Sequence, residues 1–335
     1  MGLKKFLVLG LVFSMVLTGL AGCGRKGNED TKNNSGVKVG LIVDTAGLGD
    51  KSVNDQANMG LKKAAEDFGV DIKVMEPKDA SQFIDIQQKL AESGYQLIIN
   101  CAFSMADALT QVADKYKDTS FVIIDTVVDK ENVLSATYAT HEGSFLAGAI
   151  AAMKSESGKI GFVGGMNIPT IQKFQVGYEE GARYINPDIE IMIKYIGNDG
   201  SAWANPAAGK SLTLDMVSNG ADVVYHAAGG SGIGVIQGAE EAGIWAIGVN
   251  MDQEEIAPDT VLTSMLTRGD NAVYESVKKY LDGEKISGNL VMNLENNGVG
   301  VVMSRHLTDE EKTAVEEIRE KIINGEIVVT DAMAQ

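Results

Sequence analysis

The sequence predicts an α/β protein of two similar lobes, each built from a parallel β-sheet with helices packed against it. The first observation is that short β-branched runs alternate with amphipathic helical patterns after residue 36, as βαβ units require. The second is that this alternation restarts near residue 157. The third is the length of 335 residues, which is long for one hydrophobic core.

The first half contains a regular series of strands and helices. The run VKVGLIVD (37–44) is rich in β-branched residues and predicts a buried strand, and NMGLKKAAEDFG (58–69) has helical spacing and ends at a glycine. Further strands are predicted in VDIKVME, YQLIIN and SFVIIDTV. Helical patterns lie around 82–93 and 105–116.

The second half repeats this plan. A strand is predicted in SGKIGFVGG (157–165), followed by a helix in FQVGYEEGARYI (174–185), and a later strand in ADVVYHAA (221–228). The segment LTDEEKTAVEEIREKIINGE predicts an amphipathic surface helix near the C-terminus. Between residues 285 and 303 the pattern fits a helix or a strand.

Composition excludes nucleic acid as a partner. Hydrophobic residues make up 44% and charged residues 22% of the chain, as in ordinary soluble proteins. The formal net charge is −17, from 46 acidic and 29 basic residues, so the protein repels phosphate backbones. An aromatic content of 6% also argues against a stacking surface for single strands.

The N-terminus has the layout of a secretory signal peptide. MGLKK precedes the apolar run FLVLGLVFSMVLTGLAG, which ends in small residues. The stretch LAGC (20–23) resembles a lipobox, in which Cys23 would receive lipid, and residues 23–36 form a polar tether. We expect a protein anchored by lipid on the extracytoplasmic face of the cell membrane. An ordinary secretory signal with a chance cysteine is the alternative. Cys101 is the only other cysteine, so a lipidated Cys23 would leave it no disulfide partner, as expected of an exported protein without a disulfide framework.

A glycine-rich segment, GGSGIG (229–234), follows the strand at 221–228 and opens a helical pattern. Gly229 and Gly230 allow a ligand close to the backbone, and free N–H groups at a helix start favour a polar oxygen. Asp252 suggests a dinucleotide fingerprint, but the required G-x-G-x-x-G spacing is absent. A polar small-ligand contact or tight packing alone remain as interpretations.

Residues for catalysis are few. The chain has three histidines and no H-E-x-x-H, C-x-x-C or G-x-S-x-G motif. We interpret His226, in a strand, as a hydrogen-bonded core residue in preference to a ligand contact. Asp44 and Asp125 end strands, where they either cap a turn or accept hydrogen bonds. We therefore expect no enzymatic activity, no metal and no cofactor.

Trp203 lies in the polar loop NDGSAWANP (198–206), where an indole has no obvious folding role. Aromatic rings stack on planar ligands, and carboxylates accept hydrogen bonds from vicinal hydroxyls. Together these features suggest a nucleoside-like solute without phosphates. The alternative is that Trp203 packs as a lid against its own lobe.

Several long motifs, in order, carry a family resemblance. They are LIVDTAGLGDKSVNDQANMGL, INCAFSMADAL, FVIIDTV, THEGSFLAGAIAA, GFVGGMNIPTIQKFQVGYEEGA, ADVVYHAAGGSGIGVIQGA and AIGVNMDQ. The mature chain resembles the basic membrane protein family of ABC-transporter solute-binding lipoproteins, which includes purine nucleoside receptors. The resemblance implies a type I periplasmic-binding-protein fold, with two Rossmann-like lobes joined by a multi-strand hinge and closing over a ligand that is presented to permease subunits.

The resemblance also implies a ligand site at the strand ends of both lobes. Asn54 would meet the base edge, Asp125 would accept a hydrogen bond from the base, and Trp203 would stack on it. The other residues implied to line the cleft are Asp44, Asp50, Lys51, Ser52, Ser104, Met105, Asp107, Gly229, Gly230, Asn250 and Asp252.

The chain departs from the family pattern at three positions. Val53 stands where the family usually has a second aromatic, and Asn250 where it has an aspartate that grips ribose hydroxyls. Thr267, with Arg268 beside it, stands where a lysine is expected. An amide loses the charge-assisted hydrogen bond of a carboxylate. These changes fall at ligand-contacting positions and weaken the case for a purine nucleoside in particular.

The resulting prediction is an extracytoplasmic ABC-importer receptor for a nucleoside, with purines favoured. Its alternatives are the same fold binding another planar metabolite (a vitamin or a modified sugar), or a ligand sensor. The predicted organisation is a signal peptide at 1–22, a tether at 23–36, an N-terminal lobe at 37–140 and 268–290, and a C-terminal lobe at 141–267 and 291–335.

Overall fold

Two six-stranded sheets organise the protein in the computed structural model, which describes residues 36–45, 47–49 and 53–332. The predicted signal peptide, Cys23, and the loop residues Asp50, Lys51 and Ser52 lie outside the described residues. The prediction of an α/β protein with two sheets of mostly parallel strands is confirmed.

The first lobe has an entirely parallel sheet. Its strands are β1 (Lys38–Ile42), β2 (Asp71–Met75), β3 (Leu97–Asn100), β4 (Ser120–Ile124), β5 (Val133–Tyr138) and β11 (Gly288–Met292). They lie in the order β2-β1-β3-β4-β5-β11. Its helices are α1 (Val53–Phe68), α2 (Phe83–Glu92), α3 (Ala106–Ala113) and α8 (Gly269–Leu281). The four runs predicted as strands in the first half form β1 to β4, whereas β5 was not predicted.

The second lobe repeats this order. Its strands are β6 (Lys159–Met166), β7 (Glu190–Gly197), β8 (Val223–Ala227), β9 (Trp245–Asn250), β10 (Val261–Thr267) and β12 (Val299–Val301). They lie in the order β7-β6-β8-β9-β10-β12, in which β12 alone runs antiparallel to its neighbour. Its helices are α4 (Thr140–Lys154), α5 (Pro169–Ile185), α6 (Pro206–Ser218), α7 (Gly232–Ala242) and α9 (Asp309–Ile323). The ambiguous segment at 285–303 is thus two strands, one in each sheet.

The chain passes between the lobes three times, and the three passages are hydrogen-bonded to one another. They lie between β5 and α4, between β10 and α8, and between β11 and β12. The N–H of Ala139 in the first passage donates to the carbonyl of Met292 (2.8 Å), and the N–H of Arg268 in the second donates to that of Gly298 (2.8 Å). The third passage therefore lies between the other two. It begins after Met292, slightly beyond the predicted boundary at residue 290.

Helix α4 is buried along most of its length and has no polar face, which is why periodicity does not identify it. It packs backbone to backbone against α5. A Cβ atom added at Gly148 would lie 2.0 Å from the carbonyl oxygen of Tyr178, and one at Gly181 would lie 1.9 Å from that of Phe145. Glycine is therefore required at both positions because no side chain fits between the helices.

Replacing Gly181 with alanine should destabilise the protein by about 1–3 kcal/mol, because the added methyl group overpacks the contact between α4 and α5. Chemical denaturation of the purified variant measures this loss. Gly300→Ala is the matched control, since a Cβ there meets nothing within 4 Å. Equal stabilities of the two variants would contradict the packing argument.

The predicted C-terminal helix is α9, and its start follows from local hydrogen bonds. The Thr308 hydroxyl accepts from the N–H of Glu311 (3.2 Å), and the Glu311 carboxylate accepts from the N–H of Thr308 (2.8 Å). This reciprocal pair is a capping box. In the described part of the chain, no helix is long and apolar enough to cross a membrane.

Candidate functional site

The predicted site residues gather at the carboxyl ends of the strands. Asp44 follows β1, Ser104 follows β3, Asp125 follows β4, and Asn250 ends β9. Gln56 Nε2 on α1 donates to the backbone carbonyl of Asn250 at 2.6 Å, so this hydrogen bond links the two lobes. The candidate site is therefore the cleft between the lobes, where parallel sheets commonly bind ligands.

Two polar residues adopt left-handed backbone conformations at equivalent strand ends. Asp125 has a φ of 68° and Asn250 a φ of 67°, and β4 and β9 hold the same position in the two sheets. The N–H of Met251 donates to the carbonyl of Val249 at 2.9 Å, which closes a tight turn around Asn250. Such turns are strained for most residues, whereas Asp and Asn tolerate them. Strained backbone of this kind clusters at ligand sites.

Asp125 has an unusual electrostatic setting. Solvent reaches this residue, yet the protein mass around the cleft disfavours its charged form and raises the pKa of the carboxyl to about 6. The nearby ammonium of Lys173, on α5, acts in the opposite direction and lowers it. Lys173 Nζ is held between the carbonyl of Tyr138 (3.0 Å) and the carboxylate of Asp331 (3.3 Å). The cleft thus contains an acceptor whose charge changes near neutral pH.

The loop after β1 is organised by a buried amide. Asn54 is fully buried, and its Oδ1 accepts from the N–H of Asp44 (2.8 Å) and from the thiol of Cys101 (2.9 Å). Its Nδ2 donates to the carbonyl of Gly47 at 2.9 Å. A contact between Asn54 and a base edge remains a prediction.

The loop after β3 contributes one polar contact and one exposed ring. The Ser104 hydroxyl donates to Asp44 Oδ1 at 3.3 Å, which joins this loop to the end of β1. Met105 is fully buried in the lobe core, so its side chain supports the loop from beneath and is not available to line the cleft as expected. Asp107 is exposed in the first turn of α3. Phe103 is 61% exposed in the same loop.

The Trp203 indole lies against glycines of its own lobe. A Cβ at Gly165 would lie 2.2 Å from Trp203 Cζ3, and one at Gly229 would lie 3.6 Å from Cε3. Only glycine at position 165 lets the ring approach β6 so closely. The indole is partly buried, not covered. The lid interpretation is therefore correct for one part of the ring, and the rest remains available to a ligand.

Ser231 fixes the Trp203 loop to the loop after β8. The Ser231 hydroxyl donates to the carbonyl of Ala202 (2.6 Å) and accepts from the N–H of Asn205 (2.7 Å). A Cβ at Gly230 would lie 3.1 Å from the carbonyl oxygen of Trp203, so the two loops are in contact. Gly229 and Gly230 therefore support the indole, in addition to any contact of their own with a ligand.

His226 is the hydrogen-bonded core residue that the sequence predicts. Its ring is fully buried, and Nε2 lies 2.9 Å from Gln253 Oε1. Burial lowers the pKa of the imidazole to about 4, so the ring is neutral at physiological pH. A Cβ at Gly232 would lie 2.0 Å from His226 Cε1, so this glycine allows α7 to begin directly against the ring.

Two of the positions that depart from the family pattern contact each other. The Thr267 hydroxyl donates to Asn250 Oδ1 at 3.2 Å. Asp252, by contrast, is exposed, and its carboxylate accepts from the N–H of Glu254 at 3.0 Å. This is a local turn contact, so a ligand contact by Asp252 stays a prediction.

Sequence reasoning missed four residues of the cleft: Gln56, Phe103, Gly165 and Lys173. The adjacent glycines at the end of SGKIGFVGG were a usable signal for Gly165, because paired glycines at a strand end permit close approach. Lys173 and Gln56 lie on helices, and nothing local marks them. Within residues 36–45, 47–49 and 53–332, no group of three or more His, Cys, Asp or Glu side chains is placed to hold a metal ion.

Two similar α/β lobes, three chain passages between them and a polar cleft at the strand ends are typical of the solute-binding proteins that serve ABC transporters. The chain belongs to the Bmp family, described as ABC transporter substrate-binding protein PnrA-like, which it matches over residues 37–333. The predicted family and the periplasmic-binding-protein fold are thus confirmed.

Similar proteins cover nearly the whole chain. Basic membrane protein A of Borreliella burgdorferi is 34% identical over 336 residues, covering 98% of this chain and 96% of that protein. The ABC transporter nucleoside-binding protein BmpA of Lactococcus lactis subsp. cremoris is 32% identical over 354 residues, covering 97% and 99%. A crystal structure of an ABC transporter solute-binding protein from Aeropyrum pernix K1 matches with a TM-score of 0.74 and 28% identity, covering 88% and 93%. The family model describes substrate-binding proteins, so a role in binding a substrate is supported at the level of the family.

Asp125→Asn should stabilise the protein near pH 7 and lose this advantage as the pH falls. The folded state raises the pKa of Asp125 from 3.8 to about 6, so above about pH 6 folding places a charged carboxylate in an unfavourable environment. Below about pH 4 both states bind the proton, and the difference between wild type and variant should vanish.

Thermal unfolding of both proteins across this pH range measures the effect. Asp118→Asn, on an exposed turn of the same lobe, is the control for removing one negative charge. A stability difference that does not change between about pH 7 and about pH 4 would show that the environment of Asp125 is not desolvating.

Proposed function

We propose that this protein is an extracytoplasmic receptor that binds a nucleoside, with purine nucleosides favoured, and presents it to the permease of an ABC importer. Membership of the substrate-binding family gives the transport role. The proposal that the ligand is a nucleoside is argued from the residues of the cleft. The nucleoside-binding name of the Lactococcus relative supports it.

The placement of Trp203 carries the proposal. Gly165 and Gly229 hold part of the indole against the second lobe, and the loop is fixed by Ser231. An aromatic surface that is rigid and partly open to the cleft suits a planar base, and stacking of a base on an aromatic ring contributes about 1–3 kcal/mol. Val53, at the start of α1, offers no ring, and Phe103 lies on a loop of the other lobe, so we assign the Trp203 indole, which glycines hold in place, as the main stacking surface.

The charge of the cleft favours a ligand without phosphates. Asp44 follows β1 and Asp125 follows β4, two strands of one sheet with β3 between them, and the whole chain has a net charge of −17. A nucleotide would meet these carboxylates with its own negative charge. The hydroxyl and amino groups of a nucleoside can instead donate hydrogen bonds to them.

The cellular setting that we propose is the extracytoplasmic face of the membrane. LAGC at 20–23 would give Cys23 as the lipidated residue and residues 23–36 as a tether. Stable anchoring requires more than one acyl chain, because a single chain holds a protein only marginally. The two lobes would close around the solute by bending at the three passages, with lobe boundaries near those predicted from the sequence.

Nucleosides should stabilise the purified protein, and free bases or ribose alone should not. Ligand should first be removed by unfolding and refolding, and the panel should contain adenosine, guanosine, inosine, cytidine and uridine with their bases. A ligand that binds only the folded state adds about 2.7 kcal/mol at a hundredfold excess over Kd. A thermal-shift titration measures this. The absence of a shift with every nucleoside would refute the proposed ligand, and vitamins and modified sugars would then be tested.

Trp203→Leu should weaken nucleoside binding by about tenfold or more, because it removes the stacking surface. Isothermal titration calorimetry measures the change. Trp245→Leu is the matched control, since Trp245 is the other tryptophan and begins β9, at the opposite end of that strand from Asn250. Equal affinities of the two variants would show that the indole in the cleft does not contact the ligand.

Ribonucleosides and 2′-deoxyribonucleosides should bind with affinities within about tenfold of each other. Thr267 donates to Asn250 Oδ1, so this side chain offers mainly its amide N–H groups to the sugar. An amide N–H group needs only one sugar oxygen as its acceptor. A carboxylate, in contrast, accepts hydrogen bonds from both ribose hydroxyls.

Asn250→Asp should increase the preference for ribonucleosides, measured as the ratio of the adenosine and 2′-deoxyadenosine dissociation constants. The variant restores a charged acceptor at this position, and charge-assisted hydrogen bonds are about twice as strong as neutral ones. Asn219→Asp, on an exposed turn at the amino end of β8 in the same lobe, adds the same negative charge away from the cleft and is the control. An unchanged ratio would place the sugar away from Asn250.

A further inference from the structure

The carboxamide of Gln56 connects two backbone groups on opposite sides of a passage between the lobes. Its Oε1 accepts from the N–H of Gly269 (3.3 Å), and its Nε2 donates to the carbonyl of Asn250 (2.6 Å). Gln56 is 5% exposed, so water does not compete strongly for either hydrogen bond. Both polar ends of one buried side chain are thus engaged by main-chain groups.

These two groups belong to different lobes. Gly269 is the first residue of α8 in the first lobe, and Asn250 ends β9 in the second. Asn250 pairs in register with Leu266 on β10, close to the point where the chain leaves the second lobe. Gln56 therefore bridges the second passage from one side to the other.

The first-lobe end of this bridge is rigid. Helices α1 and α8 approach so closely that a Cβ at Gly60 would lie 2.2 Å from the carbonyl oxygen of Asp270. A Cβ at Gly269 would lie 2.9 Å from Gln56 Oε1. Gln56 and Gly269 are therefore held together, and bending at the passage changes chiefly the distance from Gln56 Nε2 to Asn250.

The bridge also determines which group Asn250 presents to the cleft. Its backbone carbonyl is engaged by Gln56, and its Oδ1 is engaged by Thr267 at 3.2 Å. The left-handed turn around this residue is fixed by the hydrogen bond between Met251 and Val249. The Nδ2 group remains for a ligand, in an orientation that depends on all three contacts.

We propose that Gln56 is a positioning residue that holds the lobes in the closed arrangement and fixes Asn250 for ligand binding. Opening the cleft separates Nε2 from the Asn250 carbonyl and breaks a hydrogen bond that burial shields from water, which disfavours the open form. Closure and the placement of Asn250 are thereby coupled through one side chain. Only the ligand-binding part of this inference rests on the proposed nucleoside function.

Gln56→Glu tests the proposal with a side chain of nearly the same size and shape. The carboxylate still accepts from Gly269, but it meets the carbonyl of Asn250 with an acceptor in place of a donor. The matched control is Gln96→Glu. Gln96 Oε1 likewise accepts from a backbone N–H, that of Lys38 (2.7 Å), and Nε2 donates to the carbonyl of Gly36 (3.5 Å). Gln96, Lys38 and Gly36 all lie in the first lobe, at the amino ends of its strands. Gln56→Met serves as a second, uncharged variant if the glutamate variant does not fold.

Two measurements are made on each purified protein. Small-angle X-ray scattering without ligand should give a larger radius of gyration for Gln56→Glu than for wild type and Gln96→Glu. Isothermal titration with adenosine should give affinity about tenfold weaker for Gln56→Glu than for Gln96→Glu. Thermal unfolding of both variants shows whether general destabilisation accounts for the difference.

The outcomes separate the two proposals. A radius of gyration equal to wild type in Gln56→Glu, or affinity equal to that of Gln96→Glu, overturns the positioning role. If adenosine and the other nucleosides fail to bind the wild type, the nucleoside function is wrong, and the scattering comparison still decides whether Gln56 holds the lobes together.

Discussion

The chemistry of the cleft depends on how the backbone turns at the ends of β4 and β9. At these equivalent positions the chain adopts a left-handed conformation at Asp125 and Asn250. The N–H of Asp125 still donates to the carbonyl of Ala136 on β5 (2.8 Å), so the sheet remains paired up to the turning residue. Aspartate and asparagine are the residues other than glycine that best tolerate this conformation. The backbone at these sites thus favours the same small polar side chains that would bind the proposed ligand.

The electrostatic balance of the cleft follows from that arrangement. A carboxylate held between two lobes loses part of its hydration, and Lys173 of the opposite lobe offsets only part of that loss. The Lys173 ammonium donates to the carbonyl of Tyr138 and pairs with Asp331, so it lies near Asp125 while being bound by other partners. A neutral ligand that donates hydrogen bonds to Asp125 would compensate for the lost water. Such a site favours a neutral ligand with matching hydrogen-bonding groups over a ligand that carries the opposite charge.

The three passages between the lobes make the geometry of the cleft a property of the whole chain. The first and second passages each donate a backbone hydrogen bond to the third, so none bends independently. Gln56 adds a side-chain bridge across the second passage, from α1 to the end of β9. The close glycine contacts between α4 and α5 hold the second lobe rigid beside the first passage. In the proposed closure, bending would therefore be concentrated in the passages, which lie next to the strand ends of the candidate site.

The sequence by itself determined the fold class and the elements whose patterns are local. Buried β-branched runs identified β1, β3, β4 and β8, and an amphipathic pattern near the C-terminus identified α9. The family motifs identified the loops that form the cleft. The sequence pattern did not identify helix α4, because a helix buried on nearly every side has no polar face and therefore no hydrophobic periodicity.

Only the tertiary structure decided which site residues face the cleft and which support it. Met105 and Asn54 sit in motifs that suggest ligand contact, but burial assigns the first to the core and the second to loop hydrogen bonds. Gln56 and Lys173 lie on helices without any local signal, and they become important because packing brings the two lobes together. Contacts between residues far apart in the chain depend on how the lobes assemble, and a local sequence pattern does not contain that information.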